Sequence, residues 1–154
     1  KNLALELTNL LAEEETDMTI FYRLIADAEK TMINTDLFQL ISPAFYNLEV
    51  MTNEIKIKWQ NWIDRYLICI NADTNSDLER KTKMNNLNPK YVLRNYMAQL
   101  AIDAAEKEDY SLIEELYTML KKPYDDQPEY EKWFAKRPEW ARTKIGCSML
   151  SCSS

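Results

Sequence analysis

The chain has 154 residues, with 19 Lys and Arg against 25 Asp and Glu, so its formal charge is −6 and no histidine exists to alter it. Hydrophobic residues at 46% and aromatics at 11% exceed what a disordered chain carries, while a mean hydropathy of −0.47 and charges in every apolar run exclude a membrane-spanning helix. A single glycine, Gly146, rules out phosphate-cradling loops of the P-loop, Rossmann or kinase type, the missing histidine rules out hydrolases that use an imidazole base, and the acidic balance argues against a nucleic-acid partner.

The opening stretch KNLALELTNLLAEEETD has neither an initiator Met nor a basic segment followed by an apolar one, so the expectation is a processed chain or a piece of a longer one. Leu3, Leu7, Leu10 and Leu11 make one apolar stripe at helical spacing, and Phe21, Leu24, Ile25, Ala28 and Met32 make a second. Between them Thr16 or Asp17 can cap. Ser42 and Pro43 read as N-cap and first helical residue. Leu48, Met51, Ile55, Trp59, Trp62, Ile63, Tyr66, Leu67 and Ile70 then keep steps of three or four, as one long amphipathic helix or two with a bend near Thr52.

Residues 71–76 (NADTNS) read as a loop, and Ser76 with Glu79 has the spacing of a capping box. Asn88 and Pro89 repeat the cap-plus-proline signal ahead of Leu93, Met97, Leu100, Ala101 and Ala104. Ser111 and Glu114 suggest another capping box ahead of Leu112, Ile113, Leu116, Tyr117 and Leu120. The short connection predicts an antiparallel helical hairpin over 89–121, with Leu100 and Leu116 facing each other. From residue 122 the character changes. Pro123, Pro128 and Pro138 alternate with Trp133 and Trp140, which describes an extended tail, 122–154, lying on a helical region, 1–121, by its aromatic rings. The fold class expected is all-α.

Several constellations invite chemistry. Asp73, Asn75 and Asp77 imitate the start of a calcium loop, but Leu78 stands at its turn glycine and Met84 at its bidentate glutamate, so a metal site is not expected. Glu13, Glu14 and Glu15, and Asp125 with Asp126, read as solvated acidic surface, Trp59 and Trp62 as core, and Arg94 as a residue satisfying carbonyls or a carboxylate at a helix junction. Three cysteines cannot pair completely and lack zinc spacing, so a reducing, soluble compartment is the default. Cys69, within Leu67 to Ile70, is expected to be buried and inert. Cys152, between serines near the end, is the candidate for redox pairing, with Cys147 as its rival.

Residues 84–154 resemble the C-terminal end of the selenoprotein O (YdiU) family of protein adenylyltransferases. The resemblance is carried by NP-x-Y-V-L-R-N at Asn88 to Asn95, Ala98 with Gln99, A-I-x-x-A-x-x at Ala101 to Lys107, P-Y/F-x-x-x-P at Pro123 to Pro128, P-x-W at Pro138 to Trp140 and the final C-S-S. Upstream, DMTIFYRL at Asp17 to Leu24 and WQNWIDRYL at Trp59 to Leu67 are similar to it more thinly. Glu108 stands where the family usually has glycine.

This resemblance implies that the chain packs on a kinase-like catalytic region elsewhere in a parent protein. That region would bind ATP in a flipped orientation with magnesium and transfer AMP to hydroxyls of protein substrates. Its glycine-rich loop, lysine, arginines, base and metal ligands map onto no residue here, so no catalytic, cofactor-binding or metal residue is assigned in this chain. Cys152 matches the position held by selenocysteine or cysteine in the family, which implies redox pairing with the catalytic region. The family occurs in bacterial cytoplasm and in mitochondria. The alternative is a stand-alone helical protein-interaction module, with no membrane or nucleic-acid partner in either case.

Overall fold

Why so many short helices hold together with almost no glycine is visible at their ends. A computed structural model describes residues 2–144 and 147, and among these the secondary structure is helical, with one isolated β-bridge between Thr16 and Phe45. The chain divides into two compact units, Lys1–Asn88 and Pro89–Ser154.

In the first unit, α1 (Leu3–Glu13) starts on the Asn2 side chain, which accepts from the Ala4 and Leu5 amides. α2 (Met18–Ile25) starts on Asp17, whose carboxylate accepts from the Ile20 amide at 3.1 Å, which settles the choice between Thr16 and Asp17. α3 (Asn34–Ile41) was not marked by any stripe. Its start is fixed by Asp36, which accepts the Ile33 amide, and Asn34 ties it sideways to the Gln60 carbonyl and the Asp64 carboxylate.

The break near Thr52 is real: a 3₁₀ turn, Leu48–Val50, precedes α4 (Asn53–Ala72), whose N-cap is Thr52. α5 (Asp77–Leu87) opens with the expected Ser76–Glu79 capping box. Ser42 and Pro43 correct the expectation there. They form a 3₁₀ turn, Ser42–Ala44, that ends α3, because the Ser42 hydroxyl donates back to the Gln39 carbonyl instead of capping forward.

α4 packs against α1 and α3, and its Trp59 is fully buried. The rings of Phe21 and Phe45 lie 5.7 and 5.0 Å from that of Trp59, and Trp62 meets it edge-on at 6.0 Å. Phe45 reaches this cluster because the bridge at Thr16 clamps its loop: Asp17 donates to Ala44 at 2.9 Å and Tyr46 to Glu15 at 3.0 Å.

In the second unit, α6 (Asn95–Ala105) and α7 (Ser111–Leu120) pack together as the hairpin spacing predicts. Leu116 is buried at their junction and Leu100 is half-buried. Two boundaries differ from expectation. Pro89 does not open a helix; residues 89–94 are extended, and the Lys90 and Tyr91 amides both donate to the Pro123 carbonyl, which pairs this segment with residue 123 before α6 begins. Leu93 therefore lies outside the helical face assigned to it and is exposed. Ser111 is the first residue of α7 and not its cap, because the Asp109 carboxylate takes both its amide and its hydroxyl. A 3₁₀ stretch, Pro128–Trp133, and the short α8 (Trp140–Thr143) follow, and Tyr130, Trp133 and Phe134 pack on the hairpin's core.

α6 closes in a Schellman arrangement: the Glu108 amide donates to Ala105 and the Asp109 amide to Ala104, with Glu108 at φ 63°. A side chain with a Cβ pays for the left-handed region by about 1 kcal/mol. Glu108 is exposed, so nothing is lost when its side chain is removed. Glu108→Gly is expected to stabilise the chain by roughly 1 kcal/mol and Glu108→Val to destabilise it by a similar amount. Equilibrium urea unfolding of the two variants checks this, and equal midpoints would refute the strained turn.

Candidate functional site

Each candidate among the described residues has a definite place, and most are occupied by structure. The calcium-like loop is used by an amine. Lys30 Nζ donates to the carbonyls of Asp73 and Asn75 at 2.6 and 2.8 Å, and Asp77 accepts from the Lys30 amide and from Arg80. Burial tends to raise the Asp77 carboxyl, but Arg80 and Lys30 overcome it and hold it below the usual carboxylate range. Among the described residues no three His, Cys, Asp or Glu side chains converge as a metal site. The described residues do not fit ATP with magnesium either, since in the one metal-like loop the Asp73 carboxylate accepts from Asn75 and the Asp77 carboxylate from Arg80 and the Lys30 amide, and no glycine lies among residues 2–144.

Cys152 lies outside the described residues. Cys147 is buried among Tyr91, Tyr96, Met97 and Met119, with its carbonyl accepting from Asn95 Nδ2, so its thiol reaches a second sulfur only if that core opens. Cys69 corrects the expectation of burial: it is exposed. The ion pairs Lys58–Glu13 and Arg65–Glu6 set α1 antiparallel on α4, so Cys69 lies past the start of α1 and lacks its cover, while Ile70 on the adjoining face stays buried. Arg94 is buried at the start of α6 as expected for a junction residue, and Trp59 and Trp62 are core.

Two of the stretches that carry the family resemblance meet in the second unit. Asn88 to Asn95 supplies the extended segment, and Pro123 to Pro128 supplies its partner: the Pro123 carbonyl receives Lys90 and Tyr91, and the Tyr91 hydroxyl donates to the Gln127 carbonyl at 2.9 Å. Gln127 is buried, and its amide donates to the carbonyls of Met119 and Lys122 at the end of α7. Lys90 is held by Asp126 at 3.2 Å and Glu131 at 2.7 Å. Burial tends to lower its pKa, but these two acids win and raise it. The tryptophan of the third stretch, Trp140, stands edge-on to Tyr96 at 6.2 Å.

The most developed surface feature is an apolar groove of about 620 Å³ along α6 and α7, lined by Leu93, Ala98, Ala101, Ile102, Ala105, Glu106, Ile113, Leu116, Tyr117 and Leu120. Sequence periodicity placed Leu93 and Ala101 on one hydrophobic stripe and Ile113, Leu116, Tyr117 and Leu120 on the next. It could not say that α7 buries only Leu116 and Met119 while Ile113 and Tyr117 stay 45% and 63% exposed. A smaller polar cleft lies between α1 and α4, and the pairs Glu6–Arg65 and Glu13–Lys58 line it.

These features define an all-helical chain whose main unsatisfied surface is apolar. The family model for the protein adenylyltransferase SelO matches residues 1–121, and the chain belongs to that family. A protein nucleotidyltransferase YdiU from Flavobacterium johnsoniae is 61% identical over 140 residues, which cover 91% of this chain and 27% of that protein. Proteins of the same name from Rhodopirellula baltica and Methylobacillus flagellatus are 48% and 43% identical over 96% and 97% of the chain. The chain spans less than a third of the length of these relatives, at 27%, 29% and 28%.

One titratable group missed by the sequence reading is Glu14. It was read as solvated, yet it is 6% exposed and its Oε1 is buried without a hydrogen-bond partner, because the turn after α1 folds it under the loop at Asn47. Burial first, then the adjacent Glu15, raise its pKa above the ordinary 4.5, against a smaller pull from the Asn47 amide. A raised folded-state pKa means that the folded form binds the proton more tightly, so ionisation costs stability above that pKa and costs nothing below the unfolded value. Glu14→Gln is therefore expected to raise the urea midpoint at about pH 7 and to leave it unchanged at about pH 3.5. An equal shift at both pH values would show that the side chain is not held as an ionised buried acid.

Proposed function

We propose that this chain is the helical C-terminal portion of a protein adenylyltransferase and that its role there is to support a kinase-like catalytic region carried elsewhere in the polypeptide. The observation that carries this reading is the family match over residues 1–121 together with relatives named protein nucleotidyltransferases of which the chain spans less than a third. The same share of length favours this reading over a free-standing helical interaction module.

In the proposed reaction a Ser, Thr or Tyr hydroxyl of a protein substrate attacks the α-phosphorus of ATP. The bond from that phosphorus to the β-phosphate bridge breaks, pyrophosphate leaves, the hydroxyl proton goes to a base in the catalytic region, and AMP remains as a phosphodiester on the protein. Magnesium in that region would screen the phosphate charge. Cys152 is proposed as a redox handle that forms a disulfide with a cysteine of the catalytic region when a peroxide takes up the two electrons and two protons released, with Cys147, buried in the core of its unit, as its rival. The proposed setting is a reducing compartment such as bacterial cytoplasm or the mitochondrial interior.

The full-length protein incubated with magnesium and ATP labelled at the α-phosphate is expected to place label on protein, and ATP labelled at the γ-phosphate is expected to place none. Residues 1–154 alone are expected to label nothing. Transfer of the γ-label would make the parent a kinase, and labelling by these 154 residues alone would overturn the assignment of a supporting role.

A further inference from the structure

The groove along α6 and α7 has the form of a seat for a third helix. Ile113 and Tyr117, one turn apart on α7, form one wall, and Ile102 on α6 and Leu93 form the other. Between them the floor carries alanines, among them Ala98 and Ala105, whose short side chains let a helix axis approach to the usual 8–10 Å, about the spacing of packed helices. Such a row of exposed apolar side chains at helical spacing is the pattern that receives the apolar face of an amphipathic helix.

We propose that the occupant is an amphipathic helix from the remainder of the same polypeptide; this rests on the reading of the chain as part of a longer adenylyltransferase. Two observations select that occupant over a second copy or a separate protein. The groove is lined by ten residues, fewer than the roughly 20–30 per partner that a stable complex of free molecules uses. A tethered segment needs less, because the linker supplies an effective concentration in the millimolar range, on the order that makes a weak contact persist. The relatives, of whose length this chain covers 27–29%, have the additional length from which such a segment can come.

The groove also specifies the occupant's polarity. Its single charged lining residue is Glu106, which sits just past the end of α6, where the last carbonyls add partial negative charge, and which makes no ion pair among the described residues. The docked helix therefore carries Leu, Ile or Phe at i, i+3, i+4 and i+7 on one face, with a Lys or Arg where that face passes Glu106.

The test uses the full-length protein with a photocrosslinking benzoylphenylalanine in place of Tyr117, and a second preparation with it in place of Ile113. Both positions are exposed, so the fold survives, and circular dichroism confirms that it does. Irradiation is expected to give a product at monomer mass whose cross-linked peptide lies outside these 154 residues and carries a basic residue, and Glu106→Lys is expected to reduce its yield several-fold. Cross-linked dimer, a link to residues 148–154, or no product at either position would each overturn the proposal. The α-label assay on the same preparations separates the two readings. Active protein without the internal link refutes the groove's occupant alone, whereas an internal link in protein that transfers no AMP keeps the docked helix and refutes the adenylyltransferase reading.

Discussion

A helix leaves its last carbonyls without intrahelical donors, and the cheapest remedy, a glycine in the left-handed conformation just past the end, is almost unavailable to a chain with one glycine. The rest of the structure is organised around the substitutes. α5 ends with Arg23 donating to the carbonyls of Asn85 and Asn88 and with Asn88 turning back on Met84. Beyond α4, Lys30 takes the Asp73 carbonyl, and Asn71 serves Leu67. α7 ends on the Gln127 amide, and α6 alone keeps the glycine-type turn, with glutamate in it. Each substitute but the last is a side chain, and Arg23, Lys30 and Gln127 come from outside the helix they close, so helix termination and tertiary packing are the same event.

That coupling shapes the surface relevant to function. In the second unit the extended residues 89–94 and the Pro123–Gln127 segment hold each other, and Trp133 and Lys132 both reach Glu115 on α7. The proline-rich segment thus covers one side of the hairpin with Tyr130, Trp133 and Phe134, and the opposite side keeps its apolar row. The groove is the remainder of a two-sided helix pair of which the described residues supply one cover.

Side-chain caps were readable where the pattern is local and paired with a stripe: Asp17 and Ser76 both bond amides three residues ahead, and Thr52, expected as a bend, does the same. The reading failed where another partner competed. Pro89 looks like a helix start, yet its segment is paired with Pro123 far along the chain, and Ser111 looks like a cap until nearby Asp109 takes its hydroxyl. Exposure was less legible than periodicity, because a stripe records which residues share a face and not whether a neighbour covers it. Cys69 and Tyr117 both continue apolar stripes and are exposed, the first because it lies past the start of α1 and the second because α7 turns that edge away from the core. The groove was present in the sequence as its residues and absent from it as a vacancy, while the family likeness was legible in the very stretches that the second unit brings into contact.

α5 illustrates what it means for a helix to be retained by charge. Its one buried residue is Arg80, and Leu78 and Leu87 are 73% and 78% exposed. What holds it is polar: Arg80 on the Ala28 carbonyl, Lys81 on Asp27 at 2.5 Å, Asp77 on Lys30, and Arg23 at its end. Such attachments weaken as ionic strength rises, whereas the aromatic cluster around Trp59 does not depend on them. The slowest and fastest breathing of this unit are therefore set by different forces. α5 detaches at a free-energy cost below that of global unfolding and trades its amide protons with solvent sooner than α4, and salt widens the gap between the two.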